Sequence, residues 1–172
     1  VSGVTVPGGV AAAEFQKVTT TGDALPQMPE SGADPAVGKA APTITGYDLA
    51  GRPAKIDPGS DGKATLVVFL AHWCPHCNRE VPVLNEWKEK GLVPPNLRVV
   101  GVTTASRQDQ ANWPPSKWLV AKKWTFDQFA DSEKQDASAA YGVGGYPFLV
   151  FIDAAGNVTS RASGEIPVED IT

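Results

Sequence analysis

The pattern of apolar and polar positions changes character near residue 39. Before it, glycine stands at 3, 8, 9, 22, 32 and 38 and proline at 7, 26, 29 and 35, with Phe15 the one aromatic. No 2- or 3.6-residue apolar period is sustained there. Such a stretch buries too little apolar surface to offset the entropy of ordering it, which predicts a flexible linker or tether over 1–38. From 39 onward the pattern becomes regular. Residues 43–49 and 52–56 flank Ala50-Gly51, a hairpin signature. Residues 64–71 (Ala-Thr-Leu-Val-Val-Phe-Leu-Ala) are continuously apolar over a strand length, as a strand buried on both faces would be. A helix is predicted over 75–90: Pro75 fits its first turn, Val81, Leu84 and Trp87 share a face, and Gly91 ends it. Residues 96–103 read as a second buried strand, 116–123 as a short helix, 124–129 as a weak strand and 133–141 as a helix stopped by Gly142. Residues 147–153 and 158–161 form a last hairpin around Ala155-Gly156-Asn157. This order predicts an α/β sandwich with a central mixed sheet, its domain spanning 39–172.

Composition narrows the function. A chain of 172 residues has the size of one domain. Lys and Arg number 15 against 19 Asp and Glu, for a net charge of −4 without a dense basic block, so nucleic acid is not an expected partner. No apolar run approaches the ~18 residues of a membrane span. The first residue is Val and not Met, so a signal or anchor is expected to have preceded it.

The chain has two cysteines, too few for a disulfide framework, and their spacing makes them a site. Cys74 and Cys77 fall where a buried strand gives way to a helix. The first-turn N–H groups and the helix dipole favour a thiolate at Cys74. The i, i+3 separation lets the sulfurs meet, with Cys74 at the tip to attack and Cys77 one turn in to resolve a mixed disulfide. A metal site is the competing reading, because His72, Cys74, His76 and Cys77 are all the His and Cys of the chain. Structural zinc usually draws on two separated ligand pairs, whereas Cu(I) could take two thiolates and an imidazole. Haem attachment would require His at 78, which is Asn.

Trp73-Cys74-Pro75-His76-Cys77-Asn78-Arg79-Glu80-Val81-Pro82 fits the pattern W-C-x-x-C-x-x-E-x-P, and Tyr141-Gly142-Val143-Gly144-Gly145-Tyr146-Pro147 and Phe151-Ile152-Asp153-Ala154-Ala155-Gly156 follow about 70 residues later. With Gly38-Lys39-Ala40-Ala41-Pro42 and Gly62-Lys63 upstream, these segments resemble the thioredoxin superfamily. Within it they resemble the TlpA/ResA-like extracytoplasmic thiol–disulfide oxidoreductases, which neighbour the peroxiredoxins of the AhpC/TSA type. The resemblance implies a thioredoxin-like sandwich with an N-terminal β-hairpin extension and no cofactor beyond a redox-active Cys74–Cys77 disulfide. It implies a cis Tyr146-Pro147 bond facing the cysteines, with Trp73, Pro75, Tyr146 and Pro147 as the substrate-contacting set. Tyr146 departs from the Thr usual before this proline. Glu80, one turn below Cys77, would exchange a proton with it. Val68 stands where cytosolic thioredoxins carry a buried Asp. The Pro75-His76 pair is similar to that of DsbA-like oxidants, in which an imidazole stabilises the attacking thiolate, while the surrounding framework resembles reductases. The direction of electron flow therefore stays open.

The implied partners are cysteine-containing proteins and a separate membrane or soluble redox partner, since the chain has no third thiol. The expected form is a monomer outside the cytoplasm, secreted or anchored through the missing N-terminal segment. Two alternatives carry less. A thiol peroxidase of the peroxiredoxin type would have Thr where Ala71 stands, and a copper-binding thioredoxin-like chaperone has only His72 and His76 in its favour. Residues 103–113 read as a connector, and 167–170 as the opening of a terminal helix.

Overall fold

The computed structural model of the chain describes residues 17–29, 32–49, 51–107, 109–132 and 134–164. Its elements are β1 (Thr19–Thr21), β2 (Thr43–Tyr47), β3 (Pro53–Ile56), β4 (Ala64–Leu70), α1 (Pro75–Glu89), β5 (Leu97–Thr103), α2 (Pro115–Ala121), β6 (Asp127–Ala130), α3 (Asp136–Ala140), β7 (Phe148–Ile152) and β8 (Val158–Ser163). The strands make one mixed sheet in the order β1-β2-β6-β5-β4-β7-β8, with β3 also paired to β2. β4 is parallel to β5 and antiparallel to β7, and β5 is parallel to β6. The expected α/β sandwich is therefore present, with the 43–56 hairpin at one side.

The apolar run of β4 is explained by its two covered faces. Leu66, Val68 and Leu70 pack with Val81, Leu84 and Trp87 of α1 and Trp118 and Leu119 of α2. Val67 and Phe69 turn the other way, toward Ile44, Ile56, Phe129 and Ala137, Ala140 and Tyr141. Alternate side chains of one strand thus enter two cores, the period-2 geometry of a strand buried on both sides. Gly101 in β5 leaves room for Trp124: a Cβ there would lie 2.5 Å from the indole Cζ2.

Three sequence expectations shift. β6 begins at Asp127 because Trp124 is drawn into the core and its indole N–H donates to the Asp127 carbonyl at 3.1 Å. α3 is shorter than the 133–141 expected, since Gln135 adopts a left-handed φ of 63° just before it. The stretch 17–29 and 32–38, assigned to a tether, is instead packed against the domain. β1 pairs with β2, Leu25 and Ala36 are buried, and the Leu25 N–H donates to the Ala140 carbonyl at 2.8 Å. The missing signal was long range: Asp34 meets Arg161, 127 residues away, at 2.6 Å. Residues 1–16 of the expected tether, and the terminal helix expected from 167, lie outside the described residues.

The Arg161 side chain has no solvent exposure, that of Asp34 is 12% exposed, and the guanidinium also donates to the carbonyls of Pro26 and Tyr141. Asp34→Ala leaves this charge without its counter-ion and is expected to cost about 3 kcal/mol in denaturant unfolding at neutral pH. The hydrogen bonds from Arg161 hold the Asp34 carboxyl below its ordinary range. Its contribution is thus complete above the unfolded value of about 3.9 and is lost as pH falls through the lower folded value, so the gap between wild type and variant should close in acid.

Candidate active site

The buried strand ends and the helix begins within four residues, and the backbone of that junction organises the two cysteines. Cys74 is the N-cap of α1, in extended conformation, and its N–H donates to the Ala71 carbonyl at 3.0 Å. Pro75 occupies the first turn, where the missing N–H costs nothing, and is exposed. Cys77 lies beneath the end of β4, where the Ala71 N–H donates to its sulfur at 3.4 Å. Both thiols are free, Cys74 6% exposed and Cys77 fully enclosed. Burial pushes the Cys77 thiol far up, the Ala71 N–H opposes this, and the Cys74 sulfur and the Glu80 carboxylate add to it.

A second segment closes on the cysteines from β7. Because Phe69 pairs with Phe148, the residues just before β7 meet the end of β4. The Tyr146-Pro147 bond is cis, and the Cys74 thiol donates to the Tyr146 carbonyl at 3.6 Å. Pro147 is buried. The Tyr146 ring stands edge-on to Trp73, centroids 6.3 Å apart, and its hydroxyl donates to Gln135 Oε1 at 3.1 Å. Burial raises the pKa of this hydroxyl.

The remaining sequence-predicted residues divide. Glu80 is 1% exposed, placed with the thiols and not on a solvated helix face. His76 is exposed, and its Nδ1 lies 2.9 Å from Nη2 of Arg79 one turn along. His72 is buried with both ring nitrogens bonded to backbone: Nε2 accepts the Arg107 N–H at 3.0 Å and Nδ1 lies 2.6 Å from the Ala111 carbonyl. Neither imidazole is aimed by these bonds at the sulfurs. Among the described residues, no three His, Cys, Asp or Glu side chains gather as a metal-binding group.

Two features were not foreseen from sequence. Asn78 is a hub: its amide donates to the carbonyls of His72 (3.2 Å) and Cys74 (2.9 Å), and its oxygen accepts the Trp118 indole N–H at 2.8 Å, tying α2 to the turn that carries Cys74. Its own carbonyl loses a helix partner because Pro82 has no N–H, and Lys122 Nζ reaches it at 3.3 Å. The second is Asp131, buried behind Tyr146. It accepts from the Thr104 hydroxyl at 2.7 Å and from the N–H groups of Ser132, Ala137 and Ser138. Hydrophobic periodicity exposes neither residue, since Trp118 and Lys122, which meet Asn78, and Thr104, Ala137 and Ser138, which meet Asp131, come from other parts of the chain.

Comparisons with known proteins agree with this geometry. The model of the AhpC/TSA family matches residues 37–161. The chain is 31% identical over 140 residues to the thiol-disulfide oxidoreductase ResA of Geobacillus thermodenitrificans (strain NG80-2), covering 79% of this chain and 74% of the relative. It is 28% identical over 136 residues to the thiol:disulfide interchange protein HelX of Rhodobacter capsulatus, covering 78% and 72%. Among solved structures, the thioredoxin domain of a thiol-disulfide oxidoreductase from Bacteroides vulgatus superposes with a TM-score of 0.60 at 26% identity, covering 79% of this chain and 92% of that one. The fold is that of thioredoxin.

Glu80→Gln removes a negative charge that works against ionisation of Cys77. The Cys77 titration, followed by thiolate absorbance in a Cys74→Ser background, should move down toward the ordinary thiol value of about 8.5 without reaching it, because burial is the larger cause.

Proposed function

The chain belongs to the AhpC/TSA family and is a thioredoxin-like thiol–disulfide oxidoreductase; from that premise we propose that it exchanges disulfides with cysteine-containing proteins outside the cytoplasm, through a mixed disulfide on Cys74. The observation that carries this reading is the contact between the Cys74 thiol and the Tyr146 carbonyl. A polypeptide laid along that carbonyl would pair by backbone hydrogen bonds and bring its own sulfur to Cys74. The enclosed Cys77 is reached from within the molecule, through Cys74.

In the reducing direction, the Cys74 thiolate attacks one sulfur of a substrate disulfide, and the other leaves as a thiolate. Cys77 gives its proton to the Glu80 carboxylate and attacks Cys74 Sγ, expelling the second substrate thiolate. The substrate gains two electrons and, from solvent, two protons, and the enzyme is left with a Cys74–Cys77 disulfide. The reverse steps oxidise a substrate dithiol. Direction follows the potential of the pair against its partner: about −270 mV marks a thioredoxin-like reductant and about −120 mV a DsbA-like oxidant. With two cysteines in the chain, electrons enter or leave through a separate redox protein. The extracytoplasmic location and monomeric form follow the TlpA/ResA-like resemblance.

Cys77→Ser removes the resolving thiol and should accumulate protein adducts on Cys74 that dithiothreitol releases, whereas Cys74→Ser should form none. Folded Cys77→Ser protein that captures no polypeptide while wild type exchanges would refute the assignment.

A further inference from the structure

His72 is enclosed between the catalytic turn and the segment formed by 105–107 and 109–113, and it touches neither sulfur in the proposed reaction. Its contacts define a protonation state. The Arg107 N–H points at Nε2, and only an unprotonated ring nitrogen can accept it. The ring proton therefore lies on Nδ1, where it donates to the Ala111 carbonyl at 2.6 Å. Asn112 Nδ2 donates to the His72 carbonyl at 2.9 Å, and Trp113 stands edge-on to the imidazole with centroids 5.6 Å apart. The other end of the same segment holds Trp73, whose indole N–H donates to the Ala105 carbonyl at 2.8 Å. Trp73 in turn abuts Tyr146, whose carbonyl receives Cys74. Ala105 and Asn112 both have left-handed φ, at 51° and 67°, a conformation for which non-glycine residues need external fixing.

We propose that His72 is a positioning residue of the exchange reaction: as a neutral imidazole protonated on Nδ1, it fastens the 105–107 and 109–113 stretches to the turn that carries Cys74 and so fixes Trp73 and Tyr146 as the wall along which a polypeptide approaches Cys74. The inference rests on Cys74 as the attacking thiol. A protonated ring would present an N–H to the Arg107 N–H, losing one bond and setting two donors against each other. Burial already holds the imidazole below its ordinary value, opposed by the bond between Nδ1 and the Ala111 carbonyl. The charged and titratable groups nearest it on the surrounding elements are Cys74, His76, Cys77, Arg79 and Glu80 of the turn and the first turns of α1, Arg107 and Asp109 of the segment, Lys117 of α2 and Lys122 at its end. Arg107 and Asp109 are paired at 3.8 Å with side chains 60% and 73% exposed, and Lys122 is engaged at the Asn78 carbonyl.

The first test is nitrogen NMR of the reduced wild-type protein, tractable with two histidines. His72 should carry its proton on Nδ1 and titrate below about 6.5, with the amides of Ala105, Arg107 and Ala111 shifting at the same midpoint. A midpoint at or above that value, or the opposite tautomer, overturns the proposal. The second is the ratio of the rate with a disulfide-bonded unfolded polypeptide to that with a small aromatic disulfide, since both rates share the Cys74 thiolate fraction. The ratio should fall through the His72 midpoint as pH drops. It should be about 10- to 100-fold lower for His72→Ala at neutral pH, the upper figure being the cost of a reacting geometry misplaced by about 1 Å, and partly recovered and pH-independent for His72→Gln, whose amide oxygen can accept the Arg107 N–H. An unchanged ratio in folded His72→Ala refutes the inference. Wild-type protein inert toward both disulfides would count against the Cys74 reading instead, and the NMR result would still decide the state of His72.

Discussion

The end of this protein that carries the two cysteines depends on β4 being held between two neighbours of opposite direction. Its parallel pairing with β5 and antiparallel pairing with β7 place the start of α1 and the Tyr146-Pro147 segment at the same edge of the sheet. Where the ladder runs out, the Ala71 N–H would be a buried donor without a strand partner, and the Cys77 sulfur accepts it. The same register sets the Tyr146 carbonyl over Cys74. Loss of the β4–β7 pairing would separate Cys74 from Tyr146, 72 positions apart in the chain.

From this placement follows the inequality of the two thiols. Cys74 sits at the opening of a helix, beside the segment a substrate would follow. Cys77 sits one turn in, enclosed, with the buried Glu80 carboxylate working against its ionisation. Each pKa unit by which Cys77 is raised is about 1.4 kcal/mol between its protonation states, and desolvation of a buried group can supply several units. Burial therefore outweighs the single N–H that favours the Cys77 thiolate. In the proposed reaction, a resolving thiol held protonated would wait until a mixed disulfide formed next to it, which would limit premature closure and call for a nearby base.

What the sequence made legible was local. The apolar run of 64–71, the proline at the opening of the helix, Gly91 at its end and the Cys-x-x-Cys spacing each specify backbone within a few residues, and the structure places them accordingly. Glu80 was also legible, because helical spacing alone puts it below Cys77. Long-range partnerships were not. Asp34 looked like part of a glycine- and proline-rich tether because its counter-ion is Arg161 on β8. Asn78 entered the sequence reading only as the residue that rules out haem attachment, because its partners on α2 and on the turn before α1 carry no local signal. His72 invited a metal reading through its proximity in sequence to the cysteines, whereas both of its ring nitrogens are spent on a segment 35 to 39 residues away.

The most direct test of the inequality between the thiols is site-resolved alkylation of the reduced protein by a limiting amount of iodoacetamide across the pH range, read by mass spectrometry of the peptides. Label is expected on Cys74 throughout the neutral range and none on Cys77 until the fold opens. Equal labelling of the two cysteines in the folded protein, or labelling of Cys77 first, would contradict it.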